Sequence, residues 1–324
     1  MTLAALSVVI PAWDHCDLLL RCLQSLDEQT HKPVEIVVVD DGSTEDVSRA
    51  AAAFAEVRVV RRDTNGGFCQ AANDGIRNTT CPYILLLNND MTLAADCIER
   101  LLTAAAKGPS CLLAPLVLLD SDRECVWSAG DRVLQSGRPE AIGFRMSREA
   151  LTFPEAIFGV SGGAALYPRE VLEQVGLFDE TFVAYFEDVD LCMRARLAGY
   201  SCALVPEARA YHVGSASLGG KTWWRSQQCF RNHVLLVLKN FPLSVLLRHR
   251  DAILREIKHQ AGMLLTSARA EFGLARAVTR LIESTVRIVA ALPRALRERR
   301  RIQTTRAISA DEFEVLLTPT RDAR

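Results

Sequence analysis

Three features of this 324-residue sequence predict an α/β fold: a mostly parallel sheet flanked by helices, followed by a C-terminal helical region. Over the first 120 residues, short apolar runs alternate with segments of helical spacing. The runs are continuously apolar, as strands covered on both faces require. From about residue 222 onward the strand signal gives way to a long, basic, helical pattern.

LSVVI (6–10) reads as the first strand, closed by Pro11 and followed by Ala12 and Trp13. DLLLRCLQSL then puts Leu19, Cys22, Leu23 and Leu26 on one helix face. EIVVVD is a second strand, ending in Asp40-Asp41-Gly42. Ser43 and Thr44, with Glu45 and Asp46 behind them, are natural starters for the alanine-rich helix that follows. VRVV is a third strand, and Asn65-Gly66-Gly67 is a glycine turn feeding a short helix. YILLL is a fourth strand that runs straight into Asn88-Asn89-Asp90, three side chains that an apolar core cannot use.

AADCIERLLTAAA is a helix and CLLAPLVLL a further strand, whereas residues 121–157 read as an irregular insertion. GVSGGAALYPREVLEQVG supplies a turn at Gly162-Gly163, a short strand, and a helix with Pro168 near its start. FEDVDLCMRARLAGY is a helix opened by Glu187 and Asp188 and stopped near Gly199. SCALVPEARAYHVG is a last strand and loop carrying His212. Open α/β sheets bind ligands at the carboxyl ends of their strands, where Asp40-Asp41 and Asn88–Asp90 both stand.

Composition narrows the class. The chain is 49% hydrophobic and 24% charged, which suits a globular protein rather than a disordered one. No stretch has the order of a signal peptide, and no apolar run approaches the roughly 20 residues of a membrane span. The ten cysteines are scattered without a CxxC pair, so reduced thiols in a cytoplasm are expected. The net charge of −1 conceals an asymmetry: residues 1–220 hold 18 Lys and Arg against 30 Asp and Glu, and residues 221–324 hold 20 against 9. The first part needs a cation near any phosphate ligand; the second suits an anionic surface.

The order VVIPAW, VVVDDGSTED, NGGFCQAANDGI, LLLNNDM, GVSGGAALYPREVLEQVGLFDE, FEDVDLCMRARLAGY and YHVGS resembles family-2 inverting glycosyltransferases of GT-A fold. The likeness covers residues 5 to roughly 240 and is strongest to the bacterial rhamnosyltransferase-like branch that builds cell-surface polysaccharides. It implies a GT-A catalytic domain over 1–221, with 222–324 as a separate basic helical region.

The resemblance also implies roles. Pro11, Ala12 and Trp13 would wall the base of a nucleotide-diphosphate sugar (dTDP-, UDP- or GDP-linked), with Trp13 as stacking face. Asp41 would accept hydrogen bonds from base or ribose, supported by Asp40, and Asn65, Gly66 and Gly67 would bring backbone close to the donor. Asn88-Asn89-Asp90 occupies the position of the metal-binding DXD motif; its first acid is replaced by Asn88, which leaves Asp90 the only anion. With His212, Asp90 would hold Mg2+ or Mn2+ on the diphosphate. Asp188 would be the general base for the acceptor hydroxyl, oriented by Glu187, and Gly162 and Gly163 would lie along the sugar and acceptor. Arg194 would face a phosphate or form a surface ion pair.

Beyond the sheet, Leu254, Ile257, Ala261 and Leu264 recur at helical spacing among Arg and Lys. This pattern fits amphipathic helices resting on an anionic membrane, peripheral on the inner face of the cytoplasmic membrane, or a bundle packed on the catalytic domain or in a homodimer. No nucleic-acid recognition motif accompanies the charge. The implied reaction is sugar transfer, of rhamnose by analogy with that branch, to a glycan or lipid-linked acceptor. The alternative is a sugar-nucleotide-binding scaffold without turnover, for which Asn88 is the foothold. A dehydrogenase is disfavoured by the lack of GxGxxG after the first strand, and a nucleotidyltransferase by the lack of a glycine- and lysine-rich N-terminal signature.

Overall fold

The computed structural model describes residues 3–214 and 222–320. Its strands are β1 Leu6–Ala12, β2 Glu35–Asp40, β3 Val57–Arg61, β4 Tyr83–Leu87, β5 Met91–Leu93, β6 Cys111–Leu119, β7 Val126–Ser128, β8 Asp131–Val133, β9 Pro139–Ala141, β10 Ala164–Pro168 and β11 Ser201–His212. Its helices are α1 Cys16–Asp27, α2 Val47–Ala51, α3 Phe68–Arg77, α4 Cys97–Ala105, α5 Arg169–Val175, α6 Glu187–Leu197, α7 Thr222–Asn240, α8 Leu243–Arg248, α9 Arg250–Phe272, α10 Leu274–Thr305 and α11 Ala310–Val315.

The main sheet runs β3-β2-β1-β4-β10-β6-β11-β5, with β7 added on β6. The first four strands are mutually parallel, and β6 pairs parallel with β11. Strand β10 enters antiparallel between β4 and β6, and β5 lies antiparallel on β11. Both faces are covered: Val9, Ile84 and Leu86 join one apolar cluster, while Val8, Ile10, Leu85 and Leu87 join another. That double burial is why these strands are uninterruptedly apolar.

The 121–157 insertion contributes β7, the β8–β9 hairpin and a 3-10 turn at Arg148–Ala150. Helix α2 is capped by Asp46, whose side chain accepts from the Arg49 amide. Ser43 and Thr44, expected as helix starters, instead bond to Asp14: the Asp14 amide donates to Ser43 Oγ, and the Thr44 amide to Asp14 Oδ1. They pin the loop after β1 to the loop after β2.

The junction at residue 221 expected between the two regions lies outside the described residues, as does Ser215 of YHVGS. Past it, Leu235, Leu236 and Val237 of α7 and Phe241 just after it share one apolar cluster with the sheet and α6. Ile257, Ala261 and Leu264, whose spacing fitted either an exposed amphipathic face or a packed bundle, turn inward and pack with Phe230; of these and Leu254 only Leu254 is exposed. The cause is mutual cover, since α7, α9 and α10 bury their apolar faces against one another. All ten cysteines are free thiols.

Candidate active site

Pairing fixes which groups share one sheet edge. Ala12 lies beside Asp40, Asp40 beside Arg61, Leu87 beside Ala164, and Met91 beside His212. The loops after β1, β2, β3 and β4, the turn before β10 and the end of β11 therefore open on the same edge. Pro11 and Ala12 are buried within β1, and Trp13 is exposed just beyond it.

Asp40 and Asp41 divide their work. Asp40 is fully buried, accepts from the Ser43 amide at 2.9 Å and pairs with Arg61. Asp41 reaches across to the glycine turn: its two oxygens accept from the amides of Gly66 and Gly67 at 2.9 and 2.8 Å, and Arg62 Nε stands 2.8 Å away. Asp41 thus shapes the turn that carries exposed Asn65. Gly67, at φ 88°, has no room for a side chain, because a Cβ would fall 2.8 Å from Val183 Cγ1. The β3 turn and the loop before α6 meet at that glycine.

At the tip of β4, the Asn88 amide donates to the Gly163 carbonyl at 2.8 Å, and Asn89 Nδ2 donates to the Asp14 carbonyl at 3.2 Å. Asp90 is buried, with Oδ2 3.2 Å from His212 Nε2. Trp127 packs edge-on against the His212 ring at 4.5 Å between centroids. Asp90 Oδ1 is buried without a hydrogen-bond partner. A divalent cation fits this pair, since it would satisfy the orphaned carboxylate oxygen and accept the imidazole nitrogen. Among the described residues no group of three His, Cys, Asp or Glu side chains is gathered for a metal, so the other ligands would be donor phosphates and water.

The other end of the cleft is built on α6. Asp188 Oδ2 accepts from the Gly162 amide and Oδ1 from the Val189 amide, both at 2.8 Å. Burial pushes the Asp188 carboxyl above its usual range, against these two amides, which favour the charged form. Glu187 is driven well up by burial and then by the Asp188 charge, and its Oε2 has no partner. Two glycines join the two ends of the site: Gly163 O holds the Asn88 amide, and Gly162 N holds Asp188. A Cβ on Gly162 would stand 3.3 Å from Asp188 Cβ.

Glu187 also carries a pH prediction. Its folded form binds a proton more tightly than the unfolded chain, so its contribution favours folding at low pH and is lost as pH rises above about 4.3. Glu187→Gln removes that loss. Its melting temperature should overtake that of the wild type progressively above pH 5, with the gap widening by at most about 1.4 kcal/mol per pH unit. Melting curves taken from pH 4 to pH 8 read this directly; a gap that does not grow with pH contradicts it.

Arg194 does not face a phosphate. It is buried, pairs with Asp190 at 2.9 Å and donates to the carbonyls of Val175, Gly176 and Leu177. It lies on the core side of α6, away from Asp188.

Several residues around the site were not foreseen. Val183, Tyr185 and Phe186, just before Glu187, all adopt left-handed backbone, which costs on the order of 1–3 kcal/mol each. Asn232 of α7 holds this loop by donating Nδ2 to the carbonyls of Phe182, Ala184 and Tyr185 at 2.8–2.9 Å. Lys239 donates to Asp179 at 2.7 Å and Asp190 at 2.9 Å, and Asn240 donates to Asp190 at 2.8 Å. A signal existed: Asn232, Lys239 and Asn240 recur seven and eight residues apart among buried leucines of one helix. Asp131 also escaped notice; burial and the Asp188 charge hold its carboxyl well above the usual range. A depression of about 600 Å³ between α4 and β11, lined by Asp96, Arg100, Lys107 and Glu207 among others, shares no residue with this cleft.

Comparison with known proteins places this geometry. The chain is 30% identical over 224 residues to N-acetylglucosaminyl-diphospho-decaprenol L-rhamnosyltransferase of Mycobacterium tuberculosis, covering 61% of this chain and 73% of that protein. The fold superimposes on GalNAc-T7 solved with UDP, GalNAc and Mn2+, with TM-score 0.61, 17% identity, 84% of this chain and 59% of that one. It also superimposes on the mannosyltransferase PcManGT from Pyrobaculum calidifontis in complex with GDP-Man and Mn2+, with TM-score 0.54, 19% identity, 97% of this chain and 87% of that one. These structural likenesses show a GT-A type of fold. Residues 7–176, more than half of the chain, match the model of glycosyl transferase family 2, and the chain belongs to that family.

Proposed function

We propose that the chain transfers a sugar, rhamnose by analogy with the mycobacterial relative, from a nucleoside-diphosphate donor to a glycan or lipid-linked acceptor, with inversion at the anomeric carbon. One observation carries this reading: the chain Asn88–Gly163–Gly162–Asp188 ties a pair of buried Asp90 and half-buried His212 to a half-buried carboxylate of raised proton affinity. Such a cleft can hold a diphosphate at one end and an attacking hydroxyl at the other.

In this reading Trp13 and the Asp41-shaped turn receive the nucleoside. Asp188 takes the proton of the acceptor hydroxyl as its oxygen bonds to the anomeric carbon, while the bond to the diphosphate oxygen breaks on the opposite face. A base of raised pKa suits that task at neutral pH. Glu187, biased by burial toward its neutral form, limits the negative charge beside Asp188. Asp90 and His212 would hold Mg2+ or Mn2+, which neutralises charge developing on the leaving diphosphate. The proposed setting is the cytoplasmic side of the membrane; no helix among the described residues is long and apolar enough to cross one.

The test is incubation with Mg2+ or Mn2+ and a panel of UDP-, dTDP- and GDP-sugars, measuring released nucleoside diphosphate. Metal-dependent release from one donor supports the reading, and NMR of the product anomer tests inversion. Asp90→Ala should lower that release by about a hundredfold, the equivalent of about 3 kcal/mol. Unchanged, metal-stimulated release by Asp90→Ala would remove Asp90 from the metal site.

A further inference from the structure

The longest helix, α10, presents an apolar face that nothing among the described residues covers. Leu274, Val278, Ile282, Val286, Val289 and Leu296 are between 43% and 62% exposed. At about 100° per residue they fall within one arc of roughly 120°, and they extend over about 33 Å of helix. The buried positions of the same helix, Ala277, Ser284, Ile288, Ala295 and Ile302, lie on a different face, against the rest of the bundle. The exposed stripe is therefore surplus to the bundle's own packing. Monomeric soluble proteins rarely leave so continuous an apolar surface to water.

Charge decides what covers it. Helix α10 carries eight arginines and two glutamates. Both glutamates are already engaged, Glu283 with Arg280 and Glu298 with Arg301. Arg297 and Arg300, both exposed, lie beside the C-terminal end of the apolar arc. A second copy of the chain pressed along this stripe would set two helices of eight arginines and two glutamates each against one another. An anionic lipid surface accepts both the apolar stripe and its cationic border.

We propose that the exposed face of α10 is a docking surface for an anionic bilayer, with Leu274 to Leu296 lying in the headgroup–acyl boundary and the arginines on lipid phosphates. The inference does not depend on the transfer reaction and is read by binding alone. The full chain is sedimented with phosphatidylglycerol–phosphatidylcholine vesicles and with pure phosphatidylcholine vesicles. The expected result is cosedimentation with the anionic vesicles only, weakening as salt is raised.

The double variant I282E/V286E should bind those vesicles at least about tenfold more weakly, because two buried apolar side chains are lost. Its donor hydrolysis should be unchanged, since neither residue touches the cleft. A second variant, R297E/R300E, changes only exposed charge and should abolish the preference for anionic over neutral lipid. Failure to bind anionic vesicles, or equal binding to neutral ones, overturns the proposal. So does an oligomer by analytical ultracentrifugation that I282E/V286E dissolves while vesicle binding persists, which would assign the stripe to a second copy.

Discussion

Asp188→Asn should lower turnover by about 10²–10⁴ while leaving donor affinity near that of the wild type. The substitution keeps size and shape, and an amide oxygen can still accept the Gly162 amide that Asp188 accepts at 2.8 Å. What is lost is the capacity to take a proton, together with one of the two amide hydrogen bonds that Asp188 accepts. Donor affinity should persist, because the groups assigned to nucleoside and diphosphate belong to other loops, from Trp13 to His212. Steady-state kinetics with donor and acceptor separate the two parameters. The acid limb of the wild-type pH profile should vanish in the variant, because that limb reports ionisation of this carboxyl. Wild-type kcat in Asp188→Asn would move the base elsewhere, and Asp131, held in the same electrostatic neighbourhood, would become the next candidate.

Lys239→Ala should destabilise the fold by about 3–5 kcal/mol, as expected when one partner of a buried ion cluster is removed. The Lys239 ammonium is 4% exposed and serves two carboxylates, Asp179 at 9% and Asp190 at 0%. Coulombic attraction from Lys239 works against the cost of burying Asp179 and holds its carboxyl well below the usual range. Without Lys239, Asp190 retains Arg194 and Asn240, but Asp179 keeps only half-exposed Arg294 and the Thr181 amide and hydroxyl. Urea denaturation measures the loss. Arg248→Ala is the control: its pairs with Asp311 and Glu314 involve a half-exposed guanidinium, and its removal should leave the urea midpoint nearly unmoved. Equal effects of the two substitutions would contradict the assignment. Lys239→Ala should also lower kcat, because Asp190 lies two residues from Asp188 on the same helix.

Much of this architecture is legible in short windows. Valine and leucine runs closed by Pro11, Asp40-Asp41 and Asn88–Asp90 announce strands buried on both faces and delivering polar groups to one edge. Asp90 and Asp188 are visible because a carboxylate at a strand tip or a helix start has no use in the core beside it. The family order of motifs then joins these fragments into one cleft. Two local readings failed for a local reason: Ser43 and Thr44 resemble helix caps, but Asp14 from the preceding loop competes for them and leaves the capping to Asp46.

Other features depend on partners far along the chain. Nothing in AALYP states that it enters antiparallel between β4 and β6 and so brings Gly162 and Gly163 between Asn88 and Asp188. Arg194 resembles any exposed arginine until three carbonyls and Asp190 enclose it. Helical periodicity shows that Leu254, Ile257, Ala261 and Leu264 share a face; it does not show that three of them are covered by neighbouring helices while α10 keeps a stripe exposed. Local order thus set the strands, the helices and the polar tips, because backbone propensity and burial periodicity act within a few residues. Which of those tips meet, which charges pair across 49 residues from Lys239 to Asp190, and which apolar face stays open were settled by packing, because those energies exist only once distant segments touch.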